Sequence, residues 1–175
     1  MKKLILICFL FIAAQSSVKA QIAEEGSLGA GLAWTSLNFG VSAKYNFTEN
    51  HTGQLIVGSA NFGFSFVDDS SFSITGRYLY NFEEGDIGFA AWKPYLYGQV
   101  GYWTYRYDLG PILGGEFSAD AIAIGAGGGV EWSFNDFVEG LAFSTELGFT
   151  SISFDGLSSI GGFNGGFGIH YYFDL

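Results

Sequence analysis

The 175-residue chain has a single cysteine, two prolines and seven basic residues, and its apolar residues rarely run together. Each scarcity removes a class of protein. Cys8 lies inside an apolar N-terminal segment, "LILICFLFIAA", so no disulfide framework can stabilise the rest of the chain. Lys2 and Lys3 precede that segment, and "QSSVKA" follows it. A basic start, a short apolar run and small residues together have the layout of a secretory signal peptide. The reading is residues 1–20 as a cleaved signal, with Gln21 as the mature N-terminus and 21–175 as one domain. A run this short cannot span a bilayer as a helix, which takes about 20 residues.

Lys2, Lys3 and Lys19 precede the cleavage point, which leaves four basic residues against seventeen acidic ones, a net charge of −13. Phosphate binding needs clustered Lys and Arg, so nucleic acid is not an expected partner. No later uncharged stretch is long enough for a membrane helix, and no segment has helical periodicity. What the chain does have is 27 glycines, 19% aromatic residues and almost half apolar residues. Many apolar residues without apolar runs means alternation.

Eight segments alternate: 26–35, 38–48, 53–66, 71–82, 92–107, 118–133, 141–154 and 161–174. In the second, Phe39, Val41, Ala43, Tyr45 and Phe47 oppose Asn38, Gly40, Ser42, Lys44 and Asn46. The third sets Ile56, Ala60, Phe62, Phe64 and Phe66 against Ser59, Asn61, Gly63 and Ser65. Turn signals such as "TENHTG", "VDDSS", "EEGDIG" and "DLGPILGGE" separate the segments and hold most of the carboxylates. An even-stranded meander can close on itself and so abolish exposed edges.

Two closed barrels fit the alternation, one soluble and one embedded in lipid. The large face carries Phe, Tyr, Ile, Leu and Trp, too many to fit inside eight strands. The small face carries Gly, Ser, Ala, Thr and Asn, and almost none of the charge that a water-facing exterior needs. The expected fold is therefore all-β, an eight-stranded antiparallel up-and-down transmembrane β-barrel with its apolar face outward. Trp34, Trp103, Tyr102 and Tyr105 are placed at one lipid boundary; Trp92, Trp132, Tyr45, Tyr80, Tyr171 and Phe173 are placed at the other.

Counting along the strands turns Lys44, Arg77, Glu131, Glu146 and His170 inward. Two cations and two carboxylates at similar depth should pair, because unpaired buried charge is costly. A polar lumen network is expected, with Tyr95, Tyr97, Gln99 and Asn164 nearby. It can be a plug that fills the lumen, or a gate on a solute path. No metal-ligand spacing and no nucleophile motif occurs, so neither metal, cofactor nor catalytic residue is assigned, and the chain is not read as an enzyme. Asp68, Asp69, Asp108, Glu116, Asp120 and Asp155 could attract divalent cations that bridge lipopolysaccharide.

With these elements in place, the chain resembles the small outer-membrane β-barrel family of OmpX/OmpW-like type. The stretch "KPYLYGQVGYW", 93–103, is similar to the Pro-Tyr-x-x-x-G-x-G-Y stretch on a central strand of such barrels. Gly168, Tyr171 and Phe173 resemble the terminal signal read by the barrel-assembly machinery, although here Asp174 and Leu175 follow the aromatic residue. The resemblance implies a Gram-negative outer-membrane location, lipid and lipopolysaccharide as surroundings, and a monomer. It does not imply one function. A structural, envelope-integrity or surface-interaction role is the leading reading. A narrow, porin-like channel for a small or apolar solute is the alternative, and a lipid-modifying enzyme comes last.

Overall fold

The computed structural model describes residues 24–60, 71–108, 116–134, 137–154 and 159–173. Of residues 105–108 and 116–118 it describes the backbone alone. The signal segment with Cys8 and Gln21, residues 67–70 of the "VDDSS" turn, Phe62, Phe64, Phe66, Asp155 and the terminal Asp174-Leu175 lie outside the described residues.

The described residues form nine strands: β1 Leu28–Thr35, β2 Asn38–Thr48, β3 His51–Ala60, β4 Phe72–Asn81, β5 Gly85–Asp86, β6 Ala91–Asp108, β7 Glu116–Ser133, β8 Leu141–Phe154 and β9 Ile160–Phe173. The two-residue β5 only folds back on the start of β6. The other eight pair with their sequence neighbours, β4 pairs β6, and β1 pairs β9, all antiparallel. The sheet is thus a closed eight-stranded up-and-down barrel. Closure satisfies the backbone hydrogen bonds of the strands without leaving an edge, which only helices and closed barrels achieve in hydrocarbon.

Short connections set the register at the end that holds the chain termini. Between β7 and β8, Gly140 takes a φ of 78°, a left-handed conformation that glycine adopts without steric cost. Its carbonyl accepts from the Tyr172 amide at 2.8 Å, tying that turn to the last strand. The β2–β3 register shifts between Asn46 and Thr48, as a bulge does at a barrel rim.

Polarity is inverted relative to a water-soluble core. Along β2, Asn38, Ser42, Lys44 and Asn46 are buried while Phe39, Val41, Tyr45 and Phe47 are exposed, Lys44 at 2% against Val41 at 62%. The same parity runs through β4, where Ser73, Thr75, Arg77 and Asn81 face in and Phe72, Ile74, Tyr78 and Tyr80 face out. On β9, Asn164, Gly168, His170 and Tyr172 are buried, and Phe163 projects 92% exposed.

Two assignments differ from the sequence reading. Ile56 and Ala60 face the lumen, not the outer face. "QLIVG" offers three apolar residues in succession, so hydrophobicity alone cannot choose the parity; pairing of Ile56 with Ser42 on β2 chooses it. Trp103 is 1% exposed inside the barrel rather than at a lipid boundary. There it packs with Ala60, Ala121, Ala123 and Ile152, with Leu37 and Phe154 against them.

Candidate functional site, the lumen

The lumen is filled from the termini end to the far end by side chains from every long strand. Nearest the termini, Asn46 donates to Ser27 Oγ at 2.7 Å, Thr52 donates to Asn46 Oδ1, and Asn81 Nδ2 donates to Thr52 Oγ1 at 2.8 Å. Each amide finds a partner, as a buried polar group must.

Above this floor, Lys44 Nζ on β2 forms an ion pair with Glu131 on β7, across the barrel. The Tyr172 hydroxyl donates to the other Glu131 oxygen. A second trans-lumen pair joins Arg77 on β4 to Glu146 on β8, with Nη1 2.9 Å from Oε1 and 3.0 Å from Oε2. Arg77 Nε also donates to Gln99 Oε1 at 2.9 Å. Gln99 and Asn164 then both donate to Thr150 Oγ1, at 2.9 and 2.7 Å, and the Tyr95 hydroxyl donates to Glu146 at 3.2 Å. Both pairs are nearly dry, their side chains 2–8% exposed. Pairs of this kind hold because hydrogen bonds occupy their remaining donors and lone pairs.

Two tyrosines lie between the cations and a wall of glycine. Lys44 Nζ is 5.7 Å from the Tyr95 ring centre and Arg77 Cζ is 4.8 Å from that of Tyr97, within the range of cation–π attraction. A side chain at Gly129 would meet the Tyr95 ring 2.6 Å away, and one at Gly127 or Gly148 would meet the Tyr97 hydroxyl. The glycine-rich "GAGGGV" of β7 is the room those rings need.

His170 sits beside this network, 1% exposed, with Nε2 2.9 Å from Ser42 Oγ; Gln54 Nε2 donates to the same oxygen at 2.9 Å. A Ser–His contact invites comparison with a nucleophile and its base. Here no carboxylate orients the ring, since Nδ1 has no hydrogen-bond partner, and the usual third group is what fixes such a base. The contact fills space and ties β9 to β2.

Toward the far end the lumen turns apolar. Trp103 Nε1 donates to Thr75 Oγ1 at 3.2 Å, Asn38 Nδ2 donates to the same oxygen at 3.3 Å, and the indole closes over Ala121, Ala123 and Ile152. Trp103→Ala is expected to lower stability by about 3–5 kcal/mol, the range for truncating a buried Trp; urea unfolding in lipid vesicles reads the change.

The structure therefore brings Lys44 to Glu131 and Arg77 to Glu146, with Tyr95, Gln99 and Asn164 in the same hydrogen-bonded system and His170 adjacent. Of the terminal residues singled out, Gly168 faces the lumen, whereas Tyr171 and Phe173 stack edge to face outside, 4.9 Å between ring centres. Sequence reasoning missed Lys93, which is buried directly opposite Glu131 in the β6–β7 register. Outside the strands, Glu84 has a carboxyl pKa raised by burial, opposed by Lys93 and reinforced by Asp86. Among the described residues no group of three His, Cys, Asp or Glu could hold a metal ion.

No family model matches the chain, and no curated protein sequence does. Two solved structures share the fold. The N-terminal β-barrel domain of OprF from Pseudomonas aeruginosa superposes with a TM-score of 0.61 at 16% identity, covering 85% of this chain and 98% of that one. Neisserial surface protein A, NspA, gives a TM-score of 0.53 at 16% identity, covering 85% and 95%. At such identities the likeness is one of fold.

Proposed function

We propose that this chain is an outer-membrane β-barrel protein that serves as a closed, membrane-embedded structural element, holding its far-end connections at the cell surface, and not as an open pore. Inverted polarity carries the membrane part of this reading. Exposed Phe, Leu, Ile, Val and Tyr girdle a barrel whose two lumen ion pairs are all but dry. In water that outer face would be an apolar patch far larger than a soluble monomer tolerates; in lipid it is the favourable surface. The named Neisserial surface protein shares the fold, which fits display at a surface.

Closure of the lumen carries the rest. Two trans-lumen ion pairs, two tyrosines and the Trp103 cluster occupy the cross-section in succession. Eight strands leave an interior just wide enough for such side chains. The Ser42–His170 contact is sealed within this packing, which supports a non-enzymatic role.

Planar-bilayer recording of the refolded mature chain tests the closed state. The expected trace is flat, with no unitary conductance steps. Steady single-channel steps in the wild type would replace this reading by the narrow-channel one, with the Arg77–Glu146 pair as its gate.

A further inference from the structure

The lipid-facing wall is not uniform. Between β2 and β6 it carries a recess of about 730 Å³, within the 300–1,000 Å³ common for small-molecule sites. Its floor is backbone at Gly53, Gly76 and Gly98: Gly53 and Gly98 stand on either side of Tyr78 in the register, Gly76 lies two residues along from it, and the Phe47 ring packs over Gly53. Nothing lies within 4 Å of where a Cβ would stand at Gly76 or Gly98. Its walls are Tyr45, Phe47, Leu55 and Val100 and its surface is mostly apolar, since Lys44, Gln54, Arg77 and Gln99, which also line it, are buried.

Beside Tyr78 the chemistry changes. His51 stacks on Tyr78 with 5.8 Å between ring centres, and its Nδ1 meets the Tyr78 hydroxyl. The adjoining turns expose Glu49, Glu83, Glu84 and Asp86. Lys93 opposes Glu84, and Lys44 and Arg77 are paired with Glu131 and Glu146 inside the lumen, so one cation stands against the four carboxylates of this rim.

From this geometry, and resting on the membrane reading above, we propose that the recess is a binding site for one phospholipid with an ammonium-bearing, zwitterionic headgroup. One acyl chain lies over the glycine floor and the headgroup meets the Tyr78–His51 pair and the acidic turns. A chain one methylene wide can follow a concave slot and gain dispersion contact along both walls. The convex wall of a second barrel cannot reach that floor. The rim's charge repels an anionic headgroup and attracts an ammonium, which sets the preference.

The test is native mass spectrometry of the full mature chain released from nanodiscs of equal phosphatidylethanolamine and phosphatidylglycerol. One retained phosphatidylethanolamine per barrel is expected, in excess over phosphatidylglycerol. Gly76→Leu with Gly98→Leu fills the slot from positions with open space and should abolish retention, while Leu147→Ala on another wall should keep it. Tyr78→Phe, which leaves the slot open, should diminish the headgroup preference. Retention unchanged by filling, equal retention of both lipids, or a dimer held through the recess overturns the proposal. Heat-modifiable migration of each variant reports insertion separately: a wild type that inserts but retains no lipid sinks this site and leaves the membrane reading standing.

Discussion

Lys44→Met is expected to destabilise the barrel by about 3–5 kcal/mol, because it removes the cation paired with the buried Glu131 carboxylate. Glu131→Leu alone should cost a similar amount by stranding Lys44, and it also removes the acceptor of the Tyr172 hydroxyl. The triple change Lys44→Met, Glu131→Leu and Tyr172→Phe removes the charges and the orphaned donor together. Most of the loss should then be recovered, since apolar replacement of a whole buried pair is often neutral. Urea unfolding from lipid vesicles, followed by the fraction of fast-migrating folded band, measures all three. Strict additivity of the single changes would show that the two side chains do not interact, and the lumen would have to be described anew. The same logic predicts a comparable loss for Glu146→Leu, which would deprive Arg77 of its carboxylate and Tyr95 of its acceptor.

Gly31→Val is expected to impair closure itself. Gly31 on β1 lies opposite His170 on β9, in the seam that joins the first strand to the last. A Cβ at this position overlaps the Ile169 carbonyl oxygen and comes 2.8 Å from His170 Cα. These are backbone atoms of a paired strand, so the seam must part to accommodate it. The cost should exceed the roughly 1–3 kcal/mol typical of an overpacked core, and much of the chain should lose heat-modifiable migration. Gly98→Val is the control: its side chain enters open space on the outer face, and the β-branched residue suits a strand. Equal folding yields for the two variants would contradict the seam's geometry.

Strand boundaries were legible because a period of two survives in this sequence almost unbroken. β2 over 38–48 and β8 over 141–154 coincide with their alternating segments. The inward set was legible where one parity is small or polar, as in Ser73, Thr75 and Arg77 on β4. It failed where both parities look alike. In "GYWTYRY" Tyr102 and Trp103 are adjacent aromatics; Tyr102 faces out at 45% exposure, whereas Trp103 is enclosed. Hydrophobicity has no means of telling them apart, and only the register of β6 with β4 and β7 does so.

Pairing within the lumen was beyond the sequence for a different reason. Equal depth made either carboxylate available to either cation. Which one is reached depends on the stagger of the closed sheet, which places β2 across from β7 and β4 across from β8. The glycines of β7 did contain a signal, since residues 125, 127 and 129 are small on one parity while Tyr95 and Tyr97 are large on the neighbouring strand.

The central claim is that the large apolar face of this barrel meets lipid and the polar face meets itself. Electrophoresis of the outer-membrane fraction, with and without boiling, tests it most directly. The account predicts a band confined to that fraction, resistant to a urea wash, that migrates faster before boiling than after. A chain recovered in the soluble fraction, with the same mobility in both lanes, would contradict it.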